Sequence, residues 1–318
     1  MIFGTGKAGP AAQPSFETHL QPMGFHLRVI SNSTAIVAAA EASFGRFGSP
    51  PAGATPDFMF HFMEDNSDGI SELSPQARQS TPDFEPGQTE AVQGPAAPIF
   101  RREKHLIFQT VGPDSTMAAD LQQGFAFGHF SKAVVDNRPY FQWHFLELAL
   151  FQMLEAAGFM GVHASALVKN GRAMLLRAPS GGGKTTLAYA GARRRFQVLA
   201  EDVVWIDPVR DRWWGVPWTF HLLPDAGELF PELARYAPVM QTSGEMKLTV
   251  KPEEIRAGST VCRAQPGPLV FVERRPGERS QLKAIDAGAA RTLWPRAQTG
   301  LESQLAHHGP IIRKLSHD

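Results

Sequence analysis

One cysteine, Cys262, stands among the 318 residues. That excludes an intramolecular disulfide framework and a cysteine-based zinc site. A lone cysteine with no motif around it reads as a small core residue. An excess of either charge is also missing: Lys and Arg number 31, and Asp and Glu number 31. A formal charge of zero excludes a general binder of nucleic acid or of an anionic membrane surface. It does not bear on a local phosphate site. Long apolar runs are lacking too, and residues 35–40 and 145–154 are too short or too broken to span a bilayer. Residues 1–14 have no apolar stretch of the kind a secretory signal needs. Without secretion, the glycosylation acceptor Asn32-Ser33-Thr34 has no consequence. The expectation is a cytoplasmic protein with no membrane and no nucleic-acid partner. No repeat of fixed period is visible.

What is present suffices for a core: 43% of residues are hydrophobic and only 19% charged. The 25 prolines and 29 glycines point to long loops or a linker. Residues 25–30 alternate apolar and polar, which predicts a half-buried strand. Ser33 is placed to cap a helix over 35–44 that Gly45 ends. Residues 57–63 read as a further short strand. From Glu64 to Pro98 come seven acidic residues, one basic residue and five prolines, a net charge of −6. This predicts a disordered linker or loop, with an acidic docking tail as the functional alternative. Strands are expected at 104–110 and 124–130. Phe145, Leu148, Ala149 and Met153 recur at helical spacing, so a helix is expected over 143–157, stopped by Gly158. The domain reading is an N-terminal α+β region in two parts, 1–63 and 99–140, interrupted by the linker at 64–98. A catalytic domain follows at 141–318.

The most informative run is Val162-His163-Ala164-Ser165-Ala166-Leu167-Val168, then Asn170-Gly171, then Ala173-Met174-Leu175-Leu176-Arg177-Ala178. It reads as strand, tight turn, strand, because Asn-Gly is the strongest short hairpin signal. Next comes Ala178-Pro179-Ser180-Gly181-Gly182-Gly183-Lys184-Thr185-Thr186, a phosphate loop of the Walker A form. The glycines let successive backbone N–H groups wrap phosphate oxygens. Lys184 brings a positive charge to the β- and γ-phosphates. Thr185 offers a hydroxyl to Mg²⁺, which prefers oxygen. The helix that follows adds its N-terminal dipole. At its other end Arg193, Arg194 and Arg195 read as a solvated terminus.

Residues 196–207 read as another strand, with Glu201 and Asp202 adjacent in its middle. Charges inside an apolar run are costly to bury without a purpose. Beside a phosphate loop, one carboxylate would serve Mg²⁺ and the other would take a proton from an attacking hydroxyl. A solvated strand end is the bland alternative. Asp207, before Pro208, reads as a turn residue. Trp213, Trp214 and Trp218 form either an aromatic wall for an acceptor or part of a buried strand. Residues 269–272 and 282–285 read as a β-hairpin. His307 and His308 lack a third ligand for a tight metal site.

Together, His163, the hairpin, the loop from Ser180 to Thr186 and the pair Glu201-Asp202 resemble the C-terminal catalytic domain of HPr kinase/phosphorylase. The intervals match as well: 21 positions from His163 to Lys184 and 17 from Lys184 to Glu201. The resemblance is clear over 161–207 and weaker to 293. It implies an α/β fold of α+β mixed-sheet type. The core would be like that of HPr kinase and phosphoenolpyruvate carboxykinase, with a smaller N-terminal α+β region. It implies the cofactors ATP and Mg²⁺, with Ser180, Gly181, Gly182, Gly183, Lys184, Thr185 and Thr186 around the phosphates. By position Glu201 would be the catalytic carboxylate, with His163 lying against it. Asp202 would serve metal or orientation beside Thr185. Lys247 would reach the γ-phosphate, with Lys251 and Arg256 as substitutes. The family's first acidic position is usually Asp, and here it is Glu201. The Glu-Val-Arg-Gly stretch of the bifunctional HPr enzymes has no counterpart, and residues 211–221 stand in its place. The pattern is closer to HPr-kinase-like proteins of peptide-modifying clusters, some of which phosphorylate a Ser of a lasso-peptide precursor. The expected activity is transfer of the ATP γ-phosphoryl group to Ser or Thr of a peptide or protein, a precursor peptide among the candidates. A sugar or metabolite kinase, or a non-catalytic nucleotide-binding regulator, are the alternatives. The family's oligomers imply a homo-oligomer.

Overall fold

A computed structural model describes residues 16–65, 98–241, 244–274 and 280–294. Most of the acidic linker reading (66–97) and the pair His307-His308 lie outside the described residues. The chain divides into two compact units, Met1–Met153 and Leu154–Asp318. Each mixes helices with sheets, an α+β arrangement.

In the N-terminal unit, β1 (Phe16–Leu20) and β2 (Leu27–Ser31) pair antiparallel. Helix α1 (Thr34–Phe44) then leads to β3 (Phe58–Asp65), which lies parallel to β2. Strands β4 (Ile99–Glu103), β5 (Leu106–Val111), β6 (Ser115–Asp120) and β7 (Phe125–Ser131) form an antiparallel meander. β7 closes on β3 in parallel, which completes the seven-stranded order β1-β2-β3-β7-β6-β5-β4. Helices α2 (Lys132–Asp136) and α3 (Arg138–Phe141), a π-helical turn (Gln142–Glu147) and α4 (Leu148–Ala156) follow. Aromatic rings lock the helices to the sheet. Phe130 meets Phe62, Phe141 and Phe145 edge-on, with centroids 5.2, 5.0 and 4.6 Å apart.

Two expectations are corrected here. Ser33 precedes α1, but its hydroxyl donates to Glu64 and not to the helix end. Gly45 follows the last residue of that helix, as expected; its φ of −60° carries the chain into a 3₁₀ turn (Gly45–Phe47), and Gly48 at φ +90° ends that turn. The helix expected at 143–157 begins at Arg138. The reason is packing: Phe141 and Phe145 sit on Phe130, and Glu147 accepts a hydrogen bond from Ser43.

The C-terminal unit opens with β8 (Met160–His163), β9 (Ser165–Lys169), β10 (Arg172–Arg177) and α5 (Lys184–Arg193). Then come β11 (Gln197–Ala200), β12 (Val203–Asp207), β13 (Arg212–Gly215), β14 (Phe220–Leu222) and α6 (Ala226–Leu229). The remainder comprises β15 (Val239–Met240), β16 (Met246–Val250), α7 (Pro252–Ile255), β17 (Arg263–Ala264), β18 (Leu269–Phe271) and α8 (Ala287–Leu293). One sheet has the order β11-β9-β10-β18 and a second β17-β13-β12-β8, while β14-β16-β15 form a third. Val162, Ala166, Leu175, Leu199, Val204 and Trp213, drawn from the first two sheets, share one core. Leu167, Leu176, Ala188, Tyr189, Phe220 and Leu248 form a second core, around α5.

The Asn170-Gly171 turn is present: both residues have positive φ, +52° and +77°, and Lys169 faces Arg172. Trp213 and Trp214 are buried in β13, so the core account of these two holds over the aromatic wall. The hairpin expected between 269 and 285 does not form. β18 pairs in parallel with β10, Leu175 opposite Leu269, and Leu282 is exposed outside any strand. Among the described residues no helix is long and apolar enough to cross a membrane.

Candidate active site

The site is built where two runs of chain change sheet side by side. β8 and β9 join through Ala164, and β11 and β12 join through Glu201 and Asp202. The runs pair antiparallel in both sheets. At the crossing, Ala164 N–H donates to the Asp202 carbonyl at 2.9 Å, and the Ser165 hydroxyl donates to the Glu201 carbonyl. The two acidic residues therefore stand at a bend and not in mid-strand, which lets side chains of opposite exposure follow one another.

The phosphate loop leaves the end of β10 and opens α5. Gly181 and Gly183 have φ of +74° and +92°, conformations that favour glycine. At Gly182 a Cβ would lie 2.6 Å from Ala178 Cβ and 3.0 Å from Pro179 O, so no other residue fits. Ser180 is exposed at the loop's tip, and Thr186 is half-buried on the first turn of α5. The Lys184 side chain folds back into the loop and donates to the carbonyls of Ala178 (2.9 Å) and Pro179 (3.4 Å). A buried ammonium held by loop carbonyls is a charge poised for an anion at the helix N-terminus.

The carboxylates divide between two partners. Thr185 Oγ1 donates to Glu201 Oε1 at 2.5 Å, and the Glu201 side chain is only 14% exposed. His163 Nδ1 lies 3.0 Å from Asp202 Oδ1, with the histidine 12% and the aspartate 58% exposed. Although the Asp202 side chain keeps a face in solvent, desolvation by the protein packed around it works to raise its carboxyl. The His163 hydrogen bond and charge, with the charges of Lys184 and Lys247, outweigh it and hold the carboxyl below its usual value. His163 thus lies against Asp202, where the resemblance had placed it against Glu201. Lys247 sits on β16 and pairs with Glu245 at 2.9 Å, yet its charge reaches Asp202. Of its substitutes, Lys251 is exposed before α7 and Arg256 donates to the Ala257 carbonyl. Asp207 is the buried last residue of β12 and not a turn residue; its Oδ1 accepts from Val209 and Arg210 N–H, at 3.0 Å each, in the turn that follows.

His221, on β14, joins the site without having been singled out from the sequence. Its Nδ1 lies 3.8 Å from Glu201 Oε2, and its Nε2 lies 3.3 Å from Thr219 Oγ1. The signal was there in the alternation Thr219, Phe220, His221, Leu222, which gives a short strand one polar face. Among the described residues no group of three or more His, Cys, Asp or Glu could hold a metal. Mg²⁺ does not require such a cage, since it is commonly held by one or two protein oxygens with phosphate and water. The Thr185 hydroxyl beside a carboxylate fits that need. No family model matches the chain, and no curated protein matches it.

Proposed function

We propose that the C-terminal unit is an ATP-dependent kinase with an HPr-kinase-like phosphate-loop core, and that it transfers the γ-phosphoryl group to a hydroxyl. One observation carries the reading: the adjacent carboxylates are shared out, Glu201 to the loop's Thr185 and Asp202 to His163. A phosphate loop used only as a turn has no need of either pair.

Glu201 and Thr185 would hold Mg²⁺, which when bound neutralises charge on the β- and γ-oxygens. Thr185 gives its only hydrogen to Glu201, which leaves its oxygen lone pairs to a cation. Lys184 would exchange the Ala178 and Pro179 carbonyls for phosphate oxygens, and the loop N–H groups would cradle the rest. Asp202 is the exposed carboxylate and the one an incoming hydroxyl can reach. As the acceptor oxygen bonds to the γ-phosphorus, the bond to the bridging oxygen of ADP breaks and the hydroxyl proton passes to Asp202. His163 orients Asp202 from its buried side. These roles exchange those that the resemblance alone implied for Glu201 and Asp202. The resemblance supplies the acceptor class, Ser or Thr of a peptide or protein.

The test is Mg²⁺-dependent ATP consumption, with mass spectrometry of candidate peptide acceptors. Loss of a positioned base costs about 10²–10⁴-fold in rate, and that is the fall expected in kcat for Asp202→Asn. Nucleotide affinity should stay within about threefold, a change below 1 kcal/mol. Phosphate appearing only on sugars or metabolites would overturn the acceptor class. ATP bound but never consumed would overturn the kinase.

A further inference from the structure

Glu201 is approached from two sides, and the second side has no part in the mechanism so far. Oε1 accepts from Thr185 on α5, while Oε2 faces His221 on β14. The two partners come from different elements. β14 pairs with β16 so that Phe220 faces Val250 and Leu222 faces Leu248, and these four apolar residues pack with α5. His221 alternates with Phe220 and Leu222, so it lies on the strand's other, more polar side, as Lys247 does on β16. The packing of the third sheet on α5 therefore fixes the backbone that carries His221. The ring is also turned by its far nitrogen, 3.3 Å from the Thr219 hydroxyl. If Thr219 donates to Nε2, the neutral ring carries its hydrogen on Nδ1, the nitrogen that faces Glu201.

We propose that His221 is a positioning residue for the metal-side carboxylate. It steadies Glu201 through Oε2, so that Oε1 stays on Thr185 and the Thr185 lone pairs stay aimed at the cation. The separation of 3.8 Å exceeds hydrogen-bond length and lies within reach of a small rotation of either side chain. Bonds of this kind commonly tighten only when the ligand is in place. The chain of orientation runs Thr219, His221, Glu201, Thr185, metal. Groups outside the first coordination sphere set ligand direction and typically change metal affinity by about 10–100-fold when removed. The inference rests on the reading of Glu201 and Thr185 as the metal-holding pair.

The experiment measures Mn²⁺ binding by electron paramagnetic resonance, with a non-hydrolysable ATP analogue present. Affinity for the metal-free analogue is measured separately. The proteins are the full chain, His221→Phe, His221→Asn, Thr219→Val and Lys184→Ala. His221→Phe keeps the ring and loses the donor, so Mn²⁺ affinity should fall about 10–100-fold with metal-free affinity nearly unchanged. His221→Asn returns a donor close to the Nδ1 position and should recover most of the loss. Thr219→Val frees the ring to turn and should give a smaller loss. If His221→Phe binds Mn²⁺ as the wild type does while Lys184→Ala loses the nucleotide, the positioning role falls and the site stands. If metal and metal-free affinities fall together in His221→Phe, the role is general support of the fold and the inference is overturned. If Lys184→Ala binds nucleotide normally, the underlying reading of the loop falls instead.

Discussion

Gly182 is held between Ala178 and Pro179 so tightly that a single methyl group has no room. In Gly182→Ala the loop must shift, at a cost of about 1–3 kcal/mol. Because that strain falls on the segment that would wrap phosphate, nucleotide affinity should drop roughly tenfold or more. Calorimetric titration with ATP checks this, and wild-type affinity would show that the loop amides are not used. At this scale the sequence was legible where neighbours in the chain are neighbours in the site. The loop from Ser180 to Thr186 is such a run, and its glycines, lysine and hydroxyl could be read directly. It was not legible where partners are far apart. Nothing local says that Thr185 takes Glu201, that His163 takes Asp202, or that His221 approaches from β14. Adjacent carboxylates at a bend face different surroundings, and which faces which is decided by the crossing of two sheets.

Elements were legible when their own chemistry fixed them. Asn170-Gly171 formed the β9–β10 turn because both positions need positive φ. The strand at 269–271 was read from the sequence, but its partner escaped, because a parallel partner is chosen by the sheet and not by the turn that follows. The π-helical turn holding Glu147 escaped for a similar reason. The side chain is buried and meets the Ser43 hydroxyl at 2.9 Å, a partner on α1. Burial pushes the Glu147 carboxyl up from 4.5 to about 8, the hydrogen bond from Ser43 offsetting only part of it. A folded state that keeps a proton the unfolded chain gives up loses stability as pH rises. The loss should therefore begin near pH 4.5 and level off above about pH 8. Glu147→Gln keeps the acceptor and removes this titration, so its stability should lack the fall that Glu147 adds over that window. At pH 8 it should exceed the wild type by on the order of a few kcal/mol, read from denaturant unfolding. An equal pH slope in both proteins would contradict the burial.

A second element-scale case is the end of α8. Trp294 is buried in the core shared by the first two sheets, and the Arg177 guanidinium lies 4.0 Å over its ring. Arg177 also donates to the carbonyls of Trp294 and His163, each at 3.3 Å, one residue before the phosphate loop begins. Trp294→Ala should cost about 3–5 kcal/mol. For a unit of this size that lowers Tm by roughly 10 °C, which calorimetry would detect. An unchanged Tm would mean that α8 is not docked through this ring.

Across the whole molecule, the equal totals of 31 basic and 31 acidic residues describe a sum and not a surface. Residues 64–98 alone carry a net −6, which the rest of the chain offsets. The zero argues against a general polyanion binder and does not bear on the proposed phosphate site, which would rely on one lysine and a row of backbone amides. The central claim is that the C-terminal unit binds the phosphates of ATP through Lys184. The direct measurement is calorimetric titration of Mg²⁺-ATP into the full chain and into Lys184→Ala. Saturable one-to-one binding is expected in the wild type, with affinity lower by about 100-fold, near 3 kcal/mol, in the variant. Equal affinity in the two proteins would contradict the account.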